Sequence, residues 1–247
     1  MKTRLFIAAA MLPLLAATYA RADEFIATTK HNFSSYSWSG NQICKPCHTP
    51  HNGALEKMAD GTLVSDRLWN HTLSQSAYTL HAGQVKNADG STTLDAGKAG
   101  GQADMDRVTR LCLSCHDGTV ALDAFGGAAG NIGTANFAAI NRTDANLGTD
   151  LTNDHPVGTG ANLSGTSTYY RVANLDVSKP GAPKMKVRNS ATESLPLIVS
   201  TTAGTYNIGC MTCHNPHGAG PAGGAAYPTL LRTDNTGSNL CLSCHMK

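Results

Sequence analysis

The stretch "CLSCHMK", Cys241–Lys247, contains a five-residue word that occurs four times in the 247-residue chain. The other copies are "CKPCH" at Cys44–His48, "CLSCH" at Cys112–His116 and "CMTCH" at Cys210–His214. Together they use all eight cysteines, and a histidine directly follows each cysteine pair. We number these words motifs one to four in chain order. An explanation of the pattern must use both cysteines and the histidine.

Covalent attachment of haem c is the chemistry that requires all three residues. Disulfides are the usual use of cysteine in exported proteins, but they do not require a trailing histidine. A zinc site needs two C-x-x-C pairs for each ion and no adjoining histidine. In c-type haem attachment the two thiols bond to the porphyrin, and the adjoining imidazole ligates the iron. The sequence therefore predicts four covalently attached haem c groups. Their attachment cysteines are Cys44, Cys47, Cys112, Cys115, Cys210, Cys213, Cys241 and Cys244, and the adjoining iron ligands are His48, His116, His214 and His245.

Six further histidines are candidates for the second ligand of each iron, which predicts bis-histidine ligation at all four sites. They are His31, His51, His71, His81, His155 and His217. The methionines lack comparable regularity of spacing. His71 follows Trp69 closely, and Pro156 holds His155 in an extended conformation. We expect both to be dedicated distal ligands and His81 to be exposed. His31 has three interpretations: a ligand, a flexible terminal residue, or a ligand offered to the haem of another molecule.

Motifs one and three carry a second histidine three residues after the first, in "CHTPHN" (His48 and His51) and "CHNPHG" (His214 and His217). On a helical turn, three residues advance by about 300°, so both imidazoles of a pair would leave the same side of the backbone. The two axial ligands of one iron approach from opposite faces of the porphyrin. We therefore expect the second histidine of each pair to ligate a different haem, which would hold neighbouring porphyrins close together.

The N-terminal residues have the composition of a secretory signal. A basic start is followed by an apolar run and the small-residue triplet that ends at Ala22, which predicts cleavage after that residue. The expected organisation is a cleaved signal peptide over residues 1–22 and a single domain over 23–247, with no membrane span. The 19 Lys and Arg nearly balance the 17 Asp and Glu, without a basic block. We do not expect nucleic acid to be a partner.

The chain has few large aliphatic side chains from which to build a core. Four haems would bury broad apolar faces and so take the place of those side chains. We predict mostly irregular coil with short α-helices at the haem sites and a few short β-strands, organised around four packed haems. The stretch "MDRVTRLCLSCHDG" predicts a helix that ends at Gly118. Two alternating stretches, "TSTYYRVANLDV" and "ESLPLIVSTTAGTYNI", predict an antiparallel strand pair. Similar contexts for motifs one and three, and for two and four, suggest a duplicated two-haem unit.

With these residues, the chain resembles the multihaem c-type cytochromes of dissimilatory metal-reducing bacteria. It is most similar to the tetrahaem outer-surface cytochromes of the OmcE type, which polymerise into extracellular haem filaments. The resemblance rests on the ordered set "KHNFS", "CKPCHTPHN", "LWNH", "LCLSCHDGT", "NDHPVG", "CMTCHNPHG" and "LCLSCH". It implies bis-histidine ligation of all four irons, with one distal imidazole donated across a subunit interface.

The leading functional hypothesis is electron conduction through a chain of six-coordinate haems. Its partners would be further copies of the chain, other multihaem cytochromes as electron donors, and extracellular metal oxides or other terminal acceptors. The expected location is the outer cell surface or the extracellular space, alternatively the periplasm. A monomeric periplasmic shuttle would use the same chemistry. A multihaem reductase would need an iron with an open position, so we do not expect an enzyme. A haem-stapled adhesive or matrix protein would not need adjacent haems.

Assembly is predicted from where the outer motifs lie. Motif one is close to the expected mature N-terminus, and motif four ends two residues before Lys247. Haems near both ends would allow head-to-tail contacts that do not close and therefore grow as a filament. His31, on a short N-terminal arm, is the residue that we expect to cross this contact.

Overall fold

The computed structural model describes residues 25–50, 56–57, 63–64, 68–81, 84–86, 92–94, 99–100, 105–131, 143–164, 170–179, 182–199, 204–218 and 228–246. The predicted signal peptide and His51 lie outside these residues. The described elements are all short. Within this part of the chain, no helix combines the length and the apolar character needed to cross a membrane.

Three α-helices carry the cysteines of motifs two, three and four. They are α1 (Arg107–His116), α2 (Cys210–Cys213) and α3 (Asn239–Cys244). Helix α1 begins where the Asp106 side chain accepts a hydrogen bond of 2.8 Å from the amide of Thr109, a typical N-cap. It ends before Gly118, whose φ of 73° is incompatible with helix continuation. The helix predicted over "MDRVTRLCLSCHDG" therefore lies between these two signals.

The strands are two to seven residues long and form five small sheets among the described residues. Their bounds are β1 (Glu56–Lys57), β2 (Leu63–Val64), β3 (Tyr78–Leu80), β4 (Gln84–Lys86), β5 (Thr92–Leu94), β6 (Ala99–Gly100), β7 (Asp150–Leu151), β8 (Gly158–Ser164), β9 (Leu175–Asp176), β10 (Lys184–Lys186), β11 (Ser194–Pro196), β12 (Ile198–Val199) and β13 (Thr205–Ile208). The sheet orders are β1-β2, β11-β10-β9, β12-β13-β8, β6-β3-β7 and β4-β5. All pairs are antiparallel except β3 with β7.

The predicted direct pairing of the two alternating stretches is wrong in the described residues. Strand β9, from the first stretch, pairs with β10, and β11, from the second stretch, pairs with the other edge of β10. The remaining strands of the second stretch, β12 and β13, pair with each other. The intervening "KMK" of β10 supplies a central strand because Met185 points into the core while its lysine neighbours are more exposed.

Two of the apolar clusters in the described residues pack against motif-bearing helices, one against α3 and one against α1. The first contains Met185, Leu195 and Ile208, and partly buried Leu240 and Cys244 of α3 pack against it. The second contains Tyr78, Leu80, Met105, Leu113 and Leu151, so it includes a residue of α1 between the cysteines of motif two. Each core therefore fixes the position of one attachment motif.

Candidate functional site

A short backbone clamp follows motif one. His48 forms an isolated antiparallel bridge with Trp69. The amide of Thr49 donates to the Leu68 carbonyl at 3.1 Å, and the amide of Asn70 donates to the Cys47 carbonyl at 2.8 Å. Residues 68–70 therefore hold the histidine in an extended backbone immediately after the cysteine turn.

Motifs three and four have the same clamp. His214 bridges Leu231, and the amide of Arg232 donates to the Cys213 carbonyl at 2.9 Å. In motif four, Tyr170 bridges His245, and the amide of Arg171 donates to the Cys244 carbonyl at 2.7 Å. The clamp recurs in motifs one, three and four although its partner segments differ in sequence. Sequence reasoning missed it because the segments carry no shared word.

This clamp corrects the helical-turn argument for "CHNPHG". Helix α2 ends at Cys213, and His214 is extended, with φ −109° and ψ 149°. The amide of Asn215 bonds to the Leu230 carbonyl at 2.8 Å instead of continuing the helix. His214 and His217 are therefore not one helical turn apart, and the direction of their side chains does not follow from the helical period.

Three attachment histidines each lie beside a second imidazole of the same chain. The ring centroids of His116 and His31 are 6.0 Å apart, and those of His48 and His217 are 6.1 Å apart. The rings of His245 and His155 are 6.2 Å apart. Motif one is thus brought together with the second histidine of motif three.

These separations fit two imidazoles that share one metal ion. With each ligating nitrogen about 2.0 Å from the ion on opposite sides, the two ring centroids lie about 6 Å apart. The interplanar angles of the three pairs are 58°, 38° and 71°, so none of the pairs is stacked face to face. The centroid separation of each pair would accommodate an iron between the two rings.

The protonation of several of these rings is set by backbone carbonyls. A carbonyl only accepts, so a ring Nδ1 at hydrogen-bond distance from one must carry the proton. A metal would then bind such a ring through Nε2, the usual arrangement of metal-bound histidine, except at His71, whose Nε2 lies 3.1 Å from the Ala121 carbonyl. The Nδ1–carbonyl bonds are His31 to Pro216 (3.0 Å), His71 to Thr72 (2.9 Å), His81 to Thr152 (2.8 Å), His116 to Ala145 (2.8 Å), His155 to Pro156 (2.9 Å) and His214 to Thr229 (2.9 Å).

The surroundings of His245 favour the neutral form that a metal ligand requires. Burial, and then the proximity of His155, lower the pKa of the His245 imidazole. Desolvation disfavours the charged ring, and two charged rings at this distance would repel. The lowered pKa therefore favours the form of His245 that can ligate a metal.

His31 is engaged within its own chain, which alters the expectation that it crosses to another molecule. Its ring lies beside His116, and its Nδ1 donates to the Pro216 carbonyl. The arm that carries it is tied to the turn before His217. The sequence left the role of His31 open because nothing local indicates these long-range partners.

His71 and His81 lie elsewhere. His71 is buried, with Nε2 3.1 Å from the Ala121 carbonyl and 3.5 Å from Cys115 Sγ, so it contacts an attachment cysteine of motif two. His81 is half-buried rather than exposed and bonds to the end of the neighbouring strand β7 through Thr152. His51 is outside the described residues.

The attachment cysteines of successive motifs are close to one another. None of the eight cysteines forms a disulfide with another. Burial, and then the neighbouring Cys115 and Cys44, raise the pKa of Cys47. A hydrogen bond with Cys210 and burial raise the pKa of Cys112. Burial, and then Cys213 and Cys241, raise the pKa of Cys244 to about 12. Motif one therefore neighbours motif two, two neighbours three, and three neighbours four.

A buried polar network supports the end of α1, and sequence reasoning missed it. The Tyr78 hydroxyl donates to Asp117 Oδ2 at 2.8 Å, and Ser74 Oγ donates to the same oxygen. The amide and hydroxyl of Thr119 donate to Asp117 Oδ1, each at 2.8 Å. Asp117 directly follows His116, so the network fixes the backbone that carries this histidine.

One comparison with known families gives a match. A family model described as a doubled CXXCH motif matches residues 204–247, the part of the chain that contains motifs three and four. Comparisons with curated proteins and with solved structures gave no match. The CXXCH motifs indicate covalent haem c binding, and the doubled motif is consistent with a haem-binding cytochrome in electron transfer.

Proposed function

We propose that this protein is an electron carrier with four covalently attached haem c groups, each iron held between two imidazoles. The observation that carries the proposal is the separation of 6.0 to 6.2 Å between three pairs of histidine rings, each pair including a motif histidine. The proposed ligand pairs are His48 with His217, His116 with His31, and His245 with His155.

The fourth iron is assigned to His214 and His51. His217 of "CHNPHG" lies beside His48 of "CHTPHN". Because the two words have the same spacing, we infer a reciprocal exchange in which His51 serves motif three. His71 was expected from the sequence to be a distal ligand. Its contact with Cys115 supports a role beside the attachment sulfur, since His116 already has a partner.

The proposed histidine pairs and the neighbouring cysteines are suited to electron transfer. Bound haem supplies a one-electron couple whose potential the protein adjusts through ligands, burial and charge. Two imidazoles on each iron exclude water and substrate from the metal, which favours electron transfer over catalysis. The neighbouring cysteines of successive motifs support a route in the order one, two, three, four. The reductase alternative requires an iron with an open position and loses support from the histidine pairs.

We extend the proposal to export and assembly. The N-terminal composition supports secretion, and the OmcE-type resemblance supports a head-to-tail filament at the outer cell surface, with multihaem donors and extracellular acceptors such as metal oxides. The alternative is a monomeric periplasmic shuttle. Microscopy of purified holoprotein separates the two, because long polymers support the filament and a persistent monomer at high concentration supports the shuttle.

Haem content and iron spin state test the carrier proposal. Intact mass should exceed the apo mass by four haem units, and Cys244→Ser should remove one thioether bond or one haem. Oxidised holoprotein should be wholly low-spin, and the reduced form should bind carbon monoxide poorly. A stoichiometric high-spin haem in the wild type would instead favour the reductase.

A further inference from the structure

The N-terminal arm, residues 25–33, packs against the turn formed by Asn215–Gly218. The arm starts as a helical turn, with the amide of Thr28 bonded to the Phe25 carbonyl at 3.0 Å. The turn is closed by the amide of Gly218, which donates to the Asn215 carbonyl at 3.0 Å. Two local structures far apart in sequence therefore meet at one junction.

Gly218 is the residue that permits this contact. Its φ is 73°, and a Cβ there would lie 2.5 Å from Thr29 Cγ2 and 3.0 Å from the Phe25 carbonyl oxygen. Contacts shorter than 3.0 Å force a displacement, and the second neighbour is backbone. A side chain at this position would therefore push the arm away from the turn.

The junction joins second ligands from two different histidine pairs. His31, on the arm, lies beside His116, and His217, in the turn, lies beside His48. Between them, the Pro216 carbonyl accepts the Nδ1 proton of His31 at 3.0 Å. The turn thus fixes the tautomer and direction of the His31 ring through the Pro216 carbonyl. The residue after Pro216 is His217, the second ligand proposed for motif one.

We propose that this junction is a shared positioning device, in which Gly218 and Pro216 hold His31 and His217 together so that motifs one and two gain or lose their second ligands jointly. The inference rests on the proposed bis-histidine ligation. Neither residue touches an iron in this account, because both act through the histidines. Damage at the junction should therefore alter two haems at once, whereas loss of one histidine should alter one.

Gly218→Ala tests the device against a matched control, Gly204→Ala. Gly204 has a φ of 76°, and a Cβ there meets nothing within 4 Å, so the control carries the same backbone strain without the contact. Spin state is read by quantitative electron paramagnetic resonance of the oxidised holoprotein, and carbon monoxide binding to the reduced form is titrated. Gly218→Ala should retain four haems and make two of them high-spin and reactive. Gly204→Ala should resemble the wild type.

Three further variants identify the two haems and guard against misfolding. His31→Ala and His217→Ala should each convert one haem, and the double variant should match Gly218→Ala in both readouts. Thr29→Ser removes the nearest methyl group but keeps the hydroxyl that donates to Ile26, so it should partly restore low-spin haem in the Gly218→Ala background. If Gly218→Ala yields no holoprotein, Thr29→Leu enlarges the same contact from the arm.

The outcomes separate this inference from the function on which it rests. Conversion of two haems by Gly218→Ala or Thr29→Leu supports the device. A wholly low-spin variant, or conversion of a single haem, overturns it while leaving the electron-carrier proposal intact. High-spin haem in the wild type, or fewer than four haems, overturns the ligation scheme itself.

Discussion

The amide of Cys210 donates a hydrogen bond to Thr109 Oγ1 at 3.2 Å, so helices α1 and α2 touch where each carries an attachment cysteine. The contact is close because residue 209 is glycine. A Cβ there would lie 2.5 Å from Ile198 Cδ1 and 2.7 Å from Thr109 Oγ1. The attachment sites of motifs two and three are therefore held side by side by a small residue and one hydroxyl.

Gly209→Ala should separate the two helices. Overpacking of this kind costs about 1 to 3 kcal/mol, so the free energy of unfolding should fall by that amount. We also expect weaker excitonic coupling between the haems of motifs two and three, measured by circular dichroism in the Soret band. Thr109→Ser keeps the hydroxyl and serves as the control. Unchanged stability and coupling in Gly209→Ala would mean that this contact does not set the haem spacing.

Asp106, the N-cap of α1, should give stability a defined pH dependence. Burial raises the pKa of its carboxyl above the ordinary value, against hydrogen bonds from Thr109 that lower it. The folded state thus holds its proton where the unfolded state has lost it. Stability should therefore decrease as pH rises from about 4 toward the folded-state pKa.

Asp106→Asn tests this dependence. The amide keeps an oxygen to cap α1 but cannot ionise, so above about pH 4 the unfolding free energy of the variant should fall less with rising pH than that of the wild type. Denaturant unfolding of the holoprotein at several pH values measures the slope. Parallel curves for wild type and variant would show that the Asp106 carboxyl is not the responsible group.

His51→Ala and His71→Ala should have different effects. Under the reciprocal exchange, His51→Ala converts one haem to high spin. His71→Ala should leave all haems low-spin but lower the unfolding free energy by about 2 to 4 kcal/mol, because a buried ring with two carbonyl partners is removed. His81→Ala is the control and should convert no haem. If His71→Ala produces a high-spin haem and His51→Ala does not, then His71 rather than His51 is the second ligand of the fourth iron. That result would agree with the expectation from the sequence.

Local features of the chain were predictable because their causes are local. The helix over Arg107–His116 follows from an aspartate cap, a suitable run of residues and Gly118. The residue types that hold haem follow from the repeated word, since few chemistries use Cys-x-x-Cys-His. The backbone restriction of His155 by Pro156 is also a local signal, whereas its position beside His245 is a long-range one.

Long-range pairings were not predictable from one sequence. His48 meets His217, and His31 meets His116, through contacts between residues that are 169 and 85 positions apart in the chain. The extended state of His214 depends on the Leu230 and Leu231 backbone, which has no recognisable signal. Likewise β10 separates strands that alternate well enough to suggest direct pairing. In each of these examples the observed structure depends on residues that are distant in sequence.

The central claim is that four irons are each held between two histidines of this chain. Quantitative low-temperature electron paramagnetic resonance of the oxidised wild-type holoprotein, with haem content measured on the same sample, tests it most directly. The account predicts four haems per chain, all of them low-spin ferric with two imidazole ligands. A high-spin ferric signal amounting to one haem per chain, or a haem content below four, would contradict it.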